Sequence, residues 1–575
     1  MGLTRRNALT GAALVAAATG LPTPGARAAL ISAPEIDETD YLVIGSGPGG
    51  APIAANLAEA GYRVLVLEAG PAHGDPAFYD VPALHPRAAT DPAITLTYPG
   101  ANPRAATLGG CTAQHGMITV YPDPADWDEL QQLTGDAGWG EMWEVWRRVH
   151  ATWQPTELAD ARPALRDPRL LRVAAAVLAE AGAHTDRGLV QLSLSSEPVH
   201  LSRDCNEDPA ARGFFQPPQA TRDGRRYGPR ERLLDADRRQ ANLTVLTDAL
   251  AERIVLEEDA GGWRAVAVDY RAGRHLYGGF ADSPYNGFAG GGAAGESRSV
   301  RVAKEVIVAA GAFNAPQLLM LSGLGPRDHL TEHGIETRVD LPGVGANLQD
   351  HRLVTVVTRA DERFALLDGC SFGDEGDPCL ADWRRTPPGE RLSSVYGSNG
   401  VLFGLRRGSR AAEDGRADLF VFGTPSARDF TWTVLKGYPR GRGTVRLASA
   451  DPAATPVVDH GPPDAADDAA LIEGVDAARR IAKAAAIGDE VTPGPDADLA
   501  AYVAGETRGH HASGTNRMGA PDDPGAVVDG RLKVRGTANV RVVDASAFIR
   551  APGLFPWLAT ALLSEKASAD VLRDA

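Results

Sequence analysis

Residues Tyr41–Gly70, YLVIGSGPGGAPIAANLAEAGYRVLVLEAG, read as strand, glycine turn, helix and strand. Tyr41–Ile44 is a short apolar run suited to a buried parallel strand, and Gly45, Gly47 and Gly50 fall at GxGxxG spacing. The small residues from Ala51 to Ala60 suit a helix packed close to a sheet, and Gly61 stops it. Val64–Leu67 is the second strand, with Glu68 at its end, 18 residues after Gly50. Gly45 makes the tight turn, Gly47 lets backbone approach a pyrophosphate, and Gly50 lets the helix sit on the strand. The helix N-terminus then faces phosphates, and Glu68 accepts hydrogen bonds from a ribose. With strands, helix and acid all in place, the stretch reads as a dinucleotide cradle. It does not by itself distinguish FAD from NAD.

A chain of 575 residues is too long for one simple domain. Its 58 basic and 74 acidic residues give a net charge of −16, which disfavours a nucleic-acid partner. Residues 1–28 read as an export signal: Arg5-Arg6 precede an alanine-rich apolar stretch, and Ala26-Arg27-Ala28 offers a cleavage site. The pattern resembles a twin-arginine signal, which predicts a periplasmic or extracellular protein loaded with cofactor before export. The apolar stretch is shorter than the roughly 18 residues of a membrane span, and no membrane span is expected elsewhere. Cys370 and Cys379 bracket a short polar loop and could pair in an oxidising compartment, or remain free thiols. No cysteine spacing suggests a metal.

Beyond the cradle, the proline-rich stretch from Pro71 to Pro103 reads as an extended cover. The stretch from Trp127 to Trp153 reads as one or two amphipathic helices. Asn242–Thr247, Ala265–Tyr270 and Val302–Gly311 read as further strands, the last leading into a helix from Ala312 to Leu321. The glycine-rich stretch from Tyr277 to Ser297 is predicted as a mobile loop without chemistry. Runs at Leu353–Val357, Gly400–Phe403, Leu419–Phe422 and Gly443–Leu447 alternate in the manner of an antiparallel sheet, with a helix from Leu471 to Ala486 beside it.

Six ordered segments carry a family resemblance: GSGPGG at Gly45, GGCTAQHGM at Gly109, GAFNAPQLLMLSGLGP at Gly311, LPGVGANLQDH at Leu341, HHASGTNRMG at His510 and VVDASAF at Val542. Together they resemble the glucose-methanol-choline (GMC) flavoprotein oxidoreductases over nearly the whole chain. The resemblance implies FAD and an α/β fold. A Rossmann-like FAD domain with a parallel sheet (35–125, 222–350, 505–575) would interleave with a substrate domain on an antiparallel sheet (126–221, 351–504). It also implies that Ala251 offers backbone to adenine, and that Gly109, Gly110, His115, Asp544 and Ala545 lie along the cofactor. Some members bond flavin covalently to a histidine at the position of Gln114, with His115 next to it, so noncovalent FAD is expected here.

By the same resemblance, His511 is the catalytic base, and His510 faces away, lines the pocket or orients the substrate. A neutral imidazole near pH 7 can take a hydroxyl proton while a hydride leaves the carbon. The family's second polar residue should stand eleven residues after Asp544, and that residue is Phe555. A phenyl ring there predicts an apolar or aromatic alcohol, with Trp557, Tyr396, Phe422 and Trp432 as candidates to extend the wall. His511 would then work alone or with His510, His115 or Gln114. Pro556 opens the last helix, whose N-terminus would face the flavin's N1–O2 edge. The acceptor is oxygen or a redox partner such as a quinone. A lyase on the same scaffold, like the hydroxynitrile lyases, is the reading from another class, and a flavin-binding protein without activity is a third.

Overall fold

The computed structural model describes residues 36–575 apart from 183–185, 209, 211, 286–294, 414 and 507–508. The export signature at 1–28 lies outside the described residues. The strand β1 (Glu38–Ile44), helix α1 (Gly50–Glu59) and strand β2 (Val64–Leu67) form where the opening stretch predicts them. β1 pairs in parallel with β2 on one side and with β3 (Glu296–Val308) on the other. Leu243–Leu246 extends the sheet beyond β2, and Val540–Val542 pairs in parallel with β3. Gly262–Ala272 and Ala249–Asp259 add an antiparallel edge, giving seven strands. The central strands are covered on both faces, which is why they read as unbroken apolar runs. Leu42, Val43, Val66 and Ile307 have no exposed surface.

The glycine turn is a close-packed junction. Gly45 has φ +97°, a conformation other residues rarely adopt. A Cβ on Gly50 would stand 1.9 Å from the Gly45 carbonyl oxygen. Gly49, to which the spacing argument gives no task, is just as constrained: its Cβ would meet the Val543 carbonyl oxygen at 1.8 Å. The C-terminal strand therefore presses on the first turn. The closing helix α2 (Pro556–Asp574) completes this union of chain ends. Its Ser564 hydroxyl accepts from the Ile53 N–H at 3.1 Å, and Asn56 Nδ2 donates to the Ser568 hydroxyl at 3.0 Å.

A second sheet of six strands is antiparallel throughout, in the order Asp489–Thr492, Arg352–Arg359, Asp429–Lys436, β4 (Leu419–Ser426), Phe403–Arg407 and Gly213–Phe215. One of its faces buries Val354, Val421, Trp432 and Val434 against Leu471 and Val475 of the helix Ala465–Ala485.

Several expectations change. The strand expected at Gly400 begins at Phe403. The run from Gly443 supplies a strand, Thr444–Arg446, that pairs with Val457–Asp459 rather than with the six-stranded sheet. The stretch from Trp127 to Trp153 forms two helices, Pro124–Thr134 and Met142–Thr152, and the second lies against α2. Trp153 Nε1 donates to Glu565 at 3.0 Å, and Trp139 Nε1 donates to the Gly530 carbonyl at 3.1 Å. The glycine-rich stretch is not a loose loop in its described first part, where Tyr277 and Phe280 are buried in an apolar cluster. Its residues 286–294 lie outside the described residues.

Replacing Gly50 with alanine is expected to cost roughly 1–3 kcal/mol of overpacking, read as a lowered melting temperature. Gly389→Ala, where the added methyl meets nothing within 4 Å, should leave melting unchanged.

Candidate active site

One continuous cavity of about 1170 Å³ joins the two sheets. That exceeds the roughly 300–1,000 Å³ of a typical ligand pocket, so it has room for a dinucleotide and a second molecule. The glycine turn from Gly45 to Gly49, Glu68 and Ala251 line one end. Gly110, Gln114, His115, Ala310–Ala312, Asp544 and Ala545 line its middle. His510, His511, Phe555, Pro556 and Trp557 line the far part. Gly109 and Gly50 stand behind this wall: Gly109 packs on Arg230, and Gly50 on Gly45.

The residues at the first end fit a dinucleotide. A Cβ on Gly47 would touch nothing closer than 3.9 Å and would occupy space beside the facing Gly110. Glu68 is fixed by its neighbours. Its Oε2 accepts from the Ser46 hydroxyl at 2.6 Å and the Ser46 N–H at 3.1 Å, and its Oε1 accepts from the Gly70 N–H at 3.1 Å. Burial pushes the carboxyl up from its ordinary range, and these donors oppose the shift. A carboxylate has about four acceptor positions, so capacity remains for a ribose hydroxyl. Asp544 acts as a clamp: Oδ2 accepts from the Gly311 N–H and Oδ1 from the Ser546 N–H, each at 2.8 Å. It thereby ties the second strand-to-helix turn to the C-terminal segment. Gln114 leaves its buried Oε1 without a hydrogen-bond partner, as a residue meant for a bound group would.

At the other end the structure brings together His511, Phe555 and a residue the sequence reading gave no role, His351. Nδ1 of His351 lies 3.1 Å from Nδ1 of His511, and the rings meet edge to face at 5.1 Å. Backbone bonds at 2.8 and 3.0 Å between Gln349 and Ser513 hold the two histidine segments side by side. Burial drives the His511 imidazole well below its ordinary value, with His351 adding to the shift, and pushes His351 down to about 3. Both rings are neutral at neutral pH. His510 is exposed, lies on the cavity rim, and its carbonyl accepts from Arg104. His115 also lines the cavity, with its ring against Trp557 at 5.3 Å.

Phe555 stands beside His511, with ring centroids 5.7 Å apart. It also meets Phe420 at 5.5 Å and Phe422 at 6.2 Å. The preceding loop is pinned from two sides. The Ala551 N–H donates to Gln349 Oε1 at 3.1 Å, and the Gly553 N–H donates to Asp126 Oδ2 at 3.0 Å. Gln349 thus aligns both the histidine pair and the phenyl wall. Among the other aromatic candidates, Trp557, Tyr396 and Phe422 line the cavity. Trp432 does not; it is 1% exposed and packs on Phe430 in the core.

Cys370 and Cys379 are joined by a disulfide. The loop they close contributes Phe372 to the cavity wall beside Tyr396. Asp377 organises it: Tyr396 donates to Oδ2 at 2.6 Å, as does the Gly373 N–H at 2.7 Å, and the Cys379 N–H donates to Oδ1 at 3.0 Å. Among the described residues there is no cluster suited to a metal and no helix long and apolar enough to cross a membrane.

Family models described as GMC oxidoreductase match residues 99–353 and 439–564. The chain belongs to the GMC oxidoreductase family, and its cofactor is FAD. It is 29% identical to choline oxidase of Arthrobacter globiformis over 583 residues, covering 94% of this chain and 95% of that one. It is 28% identical to an alcohol dehydrogenase (acceptor) of Pseudomonas putida, covering 88% of this chain and 91% of the other. The crystal structure of formate oxidase superposes with a TM-score of 0.75 at 21% identity, covering 94% and 99% of the two chains, and so shares the fold.

Removing the disulfide by Cys370→Ala and Cys379→Ala is expected to release the loop, at about 2–3 kcal/mol in the chain-entropy model. Limited proteolysis should then cut between residues 371 and 378, while the visible flavin spectrum is unchanged.

Proposed function

We propose that this protein oxidises an alcohol with an apolar or aromatic body to the carbonyl, with His511 as the base. The observation that carries this reading is the meeting of the neutral His511–His351 pair with Phe555 at one end of the FAD cavity. FAD, when bound, supplies the two-electron acceptor for the hydride leaving the carbinol carbon. Everything else is the work of the chain. For Nε2 of His511 to accept the hydroxyl proton, Nδ1 must carry the ring hydrogen, and Nδ1 then donates to His351. A neutral base needs no deprotonation before it acts, and burial keeps it neutral. His510, on the rim, is proposed to orient the substrate. Phe555 offers no hydrogen bond, so the second family position gives apolar contact in place of a polar grip.

The first two turns of α2 line the cavity through Pro556, Trp557 and Thr560. The unpaired N–H groups at the helix N-terminus carry partial positive charge, which favours negative charge placed before them. The cofactor is proposed to be held without a covalent bond, so acid precipitation should leave FAD in the supernatant. The acceptor is oxygen or a quinone-type partner, and peroxide release on turnover identifies oxygen. We also propose export by the twin-arginine route. The Cys370–Cys379 disulfide supports it, since such bonds persist in oxidising compartments. Arg5→Lys with Arg6→Lys should leave the protein in the cytoplasmic fraction.

Anaerobic mixing with a panel of alcohols should bleach the flavin, and His511→Ala should slow bleaching by at least about 100-fold, the usual scale of a general base. Bleaching by no alcohol would favour a lyase on this scaffold. The pH dependence has a definite sign. The His511 imidazole is held below the ordinary value near 6.5, so its neutral form persists as pH falls. The bleaching rate should stay level from pH 8 to pH 6, where an unshifted histidine would retain about a quarter of its base form.

A further inference from the structure

We propose that the cavity continues beyond His511 along β4 as a site for a linear apolar tail, which makes the substrate class medium-chain alcohols of roughly eight to ten carbons. This rests on the oxidoreductase reading above and extends it. Phe422, Thr424 and Ser426 all line the cavity. They are alternate residues of one strand and so share a face, while Leu419 and Val421 turn to the opposite face and its core. Phe422 touches Phe555, which touches His511, so the row starts at the reacting end. Four residue steps of strand carry it about 13 Å from there, to the exposed Ser426.

Much of the remaining lining is apolar: Pro163, Leu165, Leu201, Leu366 and Leu402 also line the cavity. Two polar side chains that line the cavity are already engaged. Asp160 is bonded to Arg162, at 2.6 Å, and to the Val199 N–H, at 3.1 Å. The Tyr396 hydroxyl is spent on Asp377 and the Phe372 N–H. No free charge on this stretch of named residues offers a counter-ion to a cationic or anionic tail, and the apolar wall gains by being covered with hydrocarbon.

The test uses the FAD-loaded protein and 2-methyl-2-alkanols of four to twelve chain carbons. Their carbinol carbon bears no hydrogen, so they bind without being oxidised. Calorimetry should give a Kd that falls about fourfold per added carbon and levels off near ten. Thr424→Trp should abolish the gain beyond the shortest members, and Ser426→Trp, at the exposed end, should cut only the gain of the longest. A Kd independent of chain length in the wild type would overturn the proposal. So would an undiminished chain-length gain in both variants with unchanged melting. Flavin bleaching by butanol together with a flat series removes the tail site and leaves the oxidoreductase reading standing. A steep series with no bleaching by any primary alcohol supports the tail site and removes the oxidation instead.

Discussion

The hydrogen bond between His351 and His511 is the interaction on which the proposed chemistry depends. Two imidazoles in contact disfavour a charge on both, and burial disfavours even one added proton. Their shared bond also fixes ring orientation, because a neutral imidazole offers one donor and one acceptor. The scaffold enforces the pairing. Gln349 and Ser513 join the two segments through their backbones, and the Gln349 side chain holds the loop that carries Phe555. One glutamine therefore couples the histidine pair and the phenyl wall.

On the proposed reading, that arrangement compensates for a phenylalanine at the position where the resemblance implies a second polar residue. With Phe555 in its place, polarity beside His511 comes from behind the ring, through His351, rather than from across the substrate. The pocket in front is left to the aromatic cluster of Phe420, Phe422 and Phe555. The architecture makes the division possible. The seven-stranded sheet fixes the dinucleotide end through backbone packing so close that Gly49 and Gly50 admit no side chain. The six-stranded sheet supplies a wall whose alternate residues face the cavity or the core.

The cradle was legible because each part has its own local signature: apolar strand, glycine spacing, small-residue helix and terminal acid. The C-terminal helix was legible for a similar reason, since Pro556 marks its first turn. The antiparallel sheet was visible as alternation, but not its pairing. Thr444–Arg446 alternates like its neighbours, and only tertiary placement sends it to a different partner. His351 stood at the end of the quoted Leu341–His351 segment, yet nothing local distinguishes it from a core histidine. Its role comes from a neighbour 160 residues away. Trp432 failed as a wall residue for a related reason. On a strand, the face a side chain takes depends on register, and its register turns it to the core.

The most direct test of the account is the protonation state of His511 itself. Nitrogen chemical shifts in protein labelled at histidine, assigned by comparison with His511→Gln, would report it. The ring is expected to stay neutral from pH 8 to pH 5, with its hydrogen on Nδ1. A resonance that titrates near pH 6.5, or a neutral ring with its hydrogen on Nε2, would contradict it.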